Sequence, residues 1–140
     1  MDVMHLIYVA PPQLPQMWEQ GAKAHIEKVV AQAPGYSLQS IYDEIASCHL
    51  QLWLVFANGE HVASFTTCVQ IYPECKELEC VHLGGERMQE WGGFVTEKLK
   101  EFGKANGCEA LITMGRKGTE RMYKQWGFNL DAVRLRQVII

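Results

Sequence analysis

The sequence predicts a mixed α/β (α+β) domain with a central sheet of about six strands and helices on both faces. Three observations carry this. Short apolar or β-branched runs alternate with stretches whose apolar residues recur at helical spacing. Asn58-Gly59 sits between two strand-like runs, and this pair is the preferred two-residue hairpin turn. Residues 77–114 read as strand, helix, strand, which makes those two strands parallel neighbours joined by a crossover. A chain of 140 residues is one domain, residues 1–140, large enough to bury a core unaided.

In chain order, residues 4–9 form an apolar first strand, and Pro11, Pro12 and Pro15 break it. A helix is expected over 15–33 from the spacing of Trp18, Ala22, His25, Ile26, Val29 and Val30, ending at Pro34-Gly35. Ser37 caps a second helix with an Ile41, Tyr42 and Ile45 stripe. Residues 50–57 and 60–71 are the hairpin strands, and Trp53, Phe56 and Phe65 on them, with Phe94, are core candidates. Residues 77–83 are a further strand, closed by Gly84-Gly85. The strongest amphipathic helix spans 89–106, with Trp91, Phe94, Val95, Leu99, Phe102 and Ala105 on one face and Asn106-Gly107 as its left-handed stop. A strand over 108–114, a short helix over 119–126 and a last strand over 128–139 complete the order β-α-α-β-β-β-α-β-α-β.

Composition excludes several functions. The chain is 48% hydrophobic and 21% charged, which argues against disorder and coiled coil. Thirteen basic against sixteen acidic residues give a net charge of −3, so no nucleic-acid partner is expected through a basic face. No apolar run approaches the ~20 residues of a membrane span, so no membrane partner is expected either. Met1-Asp2-Val3-Met4-His5 lacks the basic and apolar regions of a signal peptide. Together with five cysteines, an odd number, this predicts reduced thiols and a cytoplasmic location. Cys75, Cys80 and His82 have the wrong spacing for a zinc knuckle and lack a fourth ligand nearby, so no metal is expected; buried small thiols fit better.

Two segments bring in a family. Gly107-Cys108-Glu109-Ala110-Leu111 resembles the entry into the fifth strand of the GNAT superfamily of N-acetyltransferases. Met122-Tyr123-Lys124-Gln125-Trp126-Gly127-Phe128 is similar to that family's frequent ending Leu-Tyr-x-x-x-Gly-Phe. With the element order, the resemblance covers residues 40–135. It implies acetyl-CoA as cofactor, an amine on a small molecule or protein as acceptor, and a diphosphate-binding loop of pattern Arg/Gln-x-x-Gly-x-Gly/Ala. Backbone N–H groups at a helix N-terminus hold anions, and glycines let the backbone approach them. Arg87-Met88-Gln89-Glu90-Trp91-Gly92 aligns with that loop. Arg87 and Gly92 keep the outer positions, while Met88 and Glu90 stand where glycines are usual. Glu90 places negative charge at the helix end that should attract a polyanion.

The resemblance also implies roles. Tyr123 would be the acid that protonates the departing thiolate, and otherwise packs between helix and sheet with a wet hydroxyl. Glu79 or His82 would be the base; strand alternation predicts that they face opposite sides. Backbone groups of Val81, His82 and Leu83 would pair with the pantetheine arm. Glu44 and His49 are further titratable options on the acceptor side, and Trp18, Tyr36 and Tyr42 line the acceptor pocket or pack. Arg116 stands where the family often has asparagine; Arg116 and Lys117 meet CoA phosphates or form a solvated loop. Val138-Ile139-Ile140 is an unusually apolar end, expected to pair in the sheet or in a homo-oligomer interface. The substituted glycines leave a second function open: a catalytically inactive chain of the same fold with a structural or assembly role, similar to phage-encoded virion proteins.

Overall fold

The β-hairpin organises the molecule. In the computed structural model, which describes residues 3–116 and 118–139, β2 (Gln51–Ala57) and β3 (Glu60–Ile71) run antiparallel. Asn58 and Gly59 both take positive φ, 52° and 83°, as the predicted turn requires. β1 (Met4–Val9) adds antiparallel to β2, and β4 (Lys76–Gly85) antiparallel to β3. β5 (Ala110–Thr113) joins β4 in parallel, so the order is β1-β2-β3-β4-β5. The parallel step follows from α4 (Met88–Ala105), which carries the chain between those strands.

The helices cover both faces. α1 (Leu14–Met17), α2 (Lys23–Val30) and α3 (Leu38–Ala46) share one core with Leu52, Leu54 and Val9. On the other face, α4 places Trp91, Val95 and Leu99 against Trp53, Val55, Phe65 and Leu78. Alternate residues of β2 therefore enter opposite cores, which explains its nearly unbroken apolar sequence. The Ser37 cap is present: its Oγ accepts from the Ser40 N–H at 3.0 Å, and Ser40 Oγ accepts from the Ser37 N–H at 2.9 Å. α5 (Glu120–Lys124) occupies the predicted short-helix segment.

Two expectations are corrected. The single helix over 15–33 is interrupted by a π turn, Trp18–Ala22, with non-helical backbone at Gly21. A Cβ there would lie 2.4 Å from Nδ1 of His61, so only glycine lets β3 approach the helix this closely. The last strand does not form: residues 128–139 carry no helix or strand, and the sheet has five strands. Leu130, Val133, Leu135, Val138 and Ile139 are all exposed. β5 offers an edge of four residues, and this tail alternates only in two short stretches, Phe128 to Leu130 and Val133 to Leu135. That apolar face is too small to offset the entropy of ordering the segment. Met1, Asp2, Lys117 and Ile140, which figured in the sequence reading, lie outside the described residues. No described helix is long and apolar enough to cross a membrane.

Candidate active site

The site begins with a break in register. Thr66 pairs with His82 and Thr67 with Cys80, which leaves Val81 as an extra residue on β4. Two residues opposite one bend the strand and re-aim its side chains. Pairing with β5 stops at the same place, at Cys80 opposite Thr113. From Val81 to Gly85, β4 continues without a β5 partner. The two parallel strands thus part, and the edge carrying Val81, His82 and Leu83 is open on that side.

The bulge also overturns the expected facing of the two candidate bases. Glu79 pairs with Cys68 and His82 with Thr66, residues two apart on one strand. Both carboxylate and imidazole therefore face the α1–α3 side. Cys80 faces the opposite core with Leu83, so Cys80 and His82 do not share a side as a simple strand would have them. Among the described residues no cluster of three metal-ligating side chains forms.

On the α4 side, the parted strands open into a narrow cavity of about 30 Å³, lined by Cys80, Leu83, Met88, Trp91, Thr113 and Tyr123, among others. Tyr123 is half-buried, and burial pushes its hydroxyl above the usual tyrosine range, against a hydrogen bond with Thr113. The phenol is therefore protonated at neutral pH. The Trp126 indole lies over the start of α4: a Cβ on Gly92 would come within 2.2 Å of its Cη2. Gly92 is thus required by packing against Trp126.

The guanidinium at the N-terminus of α4 is already paired. Arg87 caps the helix in left-handed conformation, φ 62°. Its guanidinium donates to both carboxylate oxygens of Glu90 and, at 2.9 Å, to Glu60. The Glu90 hydrogen bond and charge, followed by Glu60, hold Arg87 protonated still more firmly than usual. Trp91 Nε1 donates to the Glu86 carbonyl at 2.7 Å and anchors the loop from within. Gln89 is exposed, as is Arg116.

On the α1–α3 side, His82 is 1% exposed. Its Nδ1 meets Thr66 Oγ1 at 2.9 Å, and the Tyr36 ring stands edge-on at 4.6 Å. Burial lowers its pKa, so the ring is neutral. Glu79 accepts from Gln70 Nε2 at 2.9 Å. Burial, then the charges of Glu79 and Glu44, raise the Cys68 thiol. Trp18 and Tyr42 pack edge to face at 5.2 Å in the core of this side. His49 is exposed and bonds Ser47 at 2.9 Å, so it belongs to the turn after α3. Thr66 went unnoticed in the sequence, because a threonine in a strand of β-formers carries no signal of the histidine opposite. The same holds for Ser64, whose Oγ bridges His25 Nδ1 at 2.8 Å and His61 Nε2 at 2.9 Å.

No protein-family model and no curated protein matches the chain. Solved structures do. An aminoglycoside acetyltransferase from an uncultured soil metagenomic sample, solved with sisomicin, is 12% identical with a TM-score of 0.69, over 98% of this chain and 97% of that one. Glucosamine-6-phosphate N-acetyltransferase from Arabidopsis thaliana is 12% identical with a TM-score of 0.65, over 99% of each chain. An aminoglycoside N-acetyltransferase in complex with CoA is 12% identical with a TM-score of 0.68, over 98% of this chain and 96% of that one. With the bulged, parted strands and the long helix between them, the chain has the fold of the GNAT N-acetyltransferases.

Proposed function

We propose that this chain moves an acetyl group from acetyl-CoA to an amine on a small molecule or protein. The observation that carries this is the parting of β4 from β5 after Cys80 and Thr113, where the half-buried Tyr123 lines the same cavity as both residues. The open backbone edge at Val81, His82 and Leu83 suits an extended, amide-bearing pantetheine arm. The other end of the ligand fits on one condition: a diphosphate reaches Arg87 and the α4 N-terminus only when Glu60 and Glu90 release the guanidinium. When bound, acetyl-CoA supplies an activated thioester. Tyr123 keeps a proton at Oη for the departing sulfur. Glu79 or His82, both on the α1–α3 side, takes the proton of the amine.

Calorimetric titration with acetyl-CoA tests this. Binding in the micromolar range, about −8 kcal/mol, supports it. Silence in the calorimeter and no thermal shift at millimolar ligand overturns it. The Arg87 clamp favours a second reading, a non-catalytic scaffold, and the two readings separate on one variant. Glu90→Gly frees the helix end of an opposing charge, so acetyl-CoA binding should tighten about tenfold, or about 1.4 kcal/mol. A scaffold gains nothing from it.

A further inference from the structure

We propose that His82 is a hydrogen-bond donor to the acceptor molecule, uncovered when the Tyr36 ring swings aside, and that Glu79 is left as the base. This deepens the acetyl-transfer reading and rests on it. The argument starts with Thr66. Its Oγ1 accepts the His82 backbone N–H at 3.2 Å and has a single proton of its own to give. The ring nitrogen Nδ1, at 2.9 Å, is the only acceptor recorded for that proton among the described residues, so the hydroxyl is satisfied only if Nδ1 accepts it. A neutral imidazole that accepts at Nδ1 carries its hydrogen on Nε2. His82 is therefore set as a donor at Nε2 and is not free to receive a proton there.

Nε2 is buried and has no partner among the described residues. Buried donors in folded proteins are nearly always paired. What lies next to this ring is Tyr36, whose aromatic edge or face is at best a weak acceptor. Tyr36 is itself 41% exposed, and it sits in the connection between α2 and α3, next to Gly35 at φ 94°. The ring packed against His82 thus belongs to a surface side chain, not a core one.

Charge on this face narrows the ligand. Glu79 stands opposite Cys68 on the neighbouring strand, and the charges of Glu79 and Glu44 both act on that thiol. They favour a cationic amine and oppose a ligand carboxylate. A neutral N–H donor on the same face of β4 as Glu79 complements a neutral oxygen. The acceptor class is an amine with a hydroxyl or carbonyl oxygen close to it.

The test is the imidazole ¹⁵N spectrum of histidine-labelled protein at pH 7, with ethanolamine and ethylamine as probes. His82 should be the Nε2–H tautomer, assigned by its loss in His82→Phe or, if that variant does not fold, by its change in Thr66→Val. Thr66→Val should turn it into a mixture of tautomers, because the positioning hydroxyl is gone. Ethanolamine should shift the Nε2 signal and ethylamine should not, and Tyr36→Ala should move the ethanolamine titration to lower concentration. An Nδ1–H tautomer in the wild type, or equal shifts with both amines, overturns the inference. Acetyl-CoA titrated separately keeps the two readings apart. Absent acetyl-CoA binding with the ethanolamine-specific shift intact removes acetyl transfer and leaves the donor site. Acetyl-CoA binding without that shift removes the donor site alone.

Discussion

At Gly92 a methyl group has no room, because the Trp126 indole already occupies its position at 2.2 Å. The obstacle is a rigid bicyclic ring that packs across the slot, not the end of a flexible chain. Gly92→Ala should therefore destabilise the protein by about 1–3 kcal/mol through overpacking, read by urea unfolding. Adding Trp126→Leu should recover most of that loss; no recovery would place the strain elsewhere. A second residue-scale effect is electrostatic. Burial and the neighbouring His61, then Lys28, push His25 down to about 4, with Glu86 opposing, and burial also lowers His61. Their folded pKa values lie below the ordinary 6.5, so the unfolded chain takes up protons first. Stability should be level above pH 6.5 and fall as pH drops toward 4. Unfolding midpoints compared at pH 7.5 and pH 5 check it, and His25→Gln should flatten the slope. Neither feature is legible in the sequence: Ser64 and His25 are 39 positions apart, and only the docking of α2 on β3 brings them together.

At the level of elements, local chemistry was the legible part. Asn58-Gly59 fixes its hairpin because both residue types tolerate the positive φ the turn needs, whatever packs around them. The Ser37 cap is equally local. Ser37→Ala should cost about 1 kcal/mol, since it leaves the Ser40 N–H unpaired at the α3 N-terminus; thermal unfolding reads it. A negligible change would mean that water serves the cap as well as serine does. The Val81 bulge was illegible for the opposite reason. No glycine or proline marks it within the run from Glu77 to Leu83, and its one trace, two apolar residues in succession at Cys80-Val81 that slip the alternation by one, equally fits a strand buried on both faces. The consequence is large for the site: one extra residue moves His82 to the Glu79 side of the sheet. Arg87 shows the same limit. Its place just ahead of the long helix was readable, but its capture by Glu60 depends on the β2–β3 turn folding back beside the α4 N-terminus.

Across the whole molecule, the sheet separates two cores, and burial on both faces of β2 ties them into one structure. The element order was readable because each core leaves its own periodicity in the sequence, period two in strands and 3.6 in helices. The tail was misread because apolar residues alone do not specify a partner. The contrast between Leu54 and Leu135 turns this into a measurement. Leu54 is 2% exposed and Leu135 is 88% exposed. Leu54→Ala should cost about 2–5 kcal/mol, the transfer term plus a cavity. Leu135→Glu should change stability by no more than about 0.5 kcal/mol, because a side chain already in water loses nothing by becoming charged. Both are read by urea unfolding at two protein concentrations. A clear loss for Leu135→Glu that grows with protein concentration would mean that the tail is covered by a second copy in solution. A loss independent of concentration would mean that it folds back onto the open edge of β5.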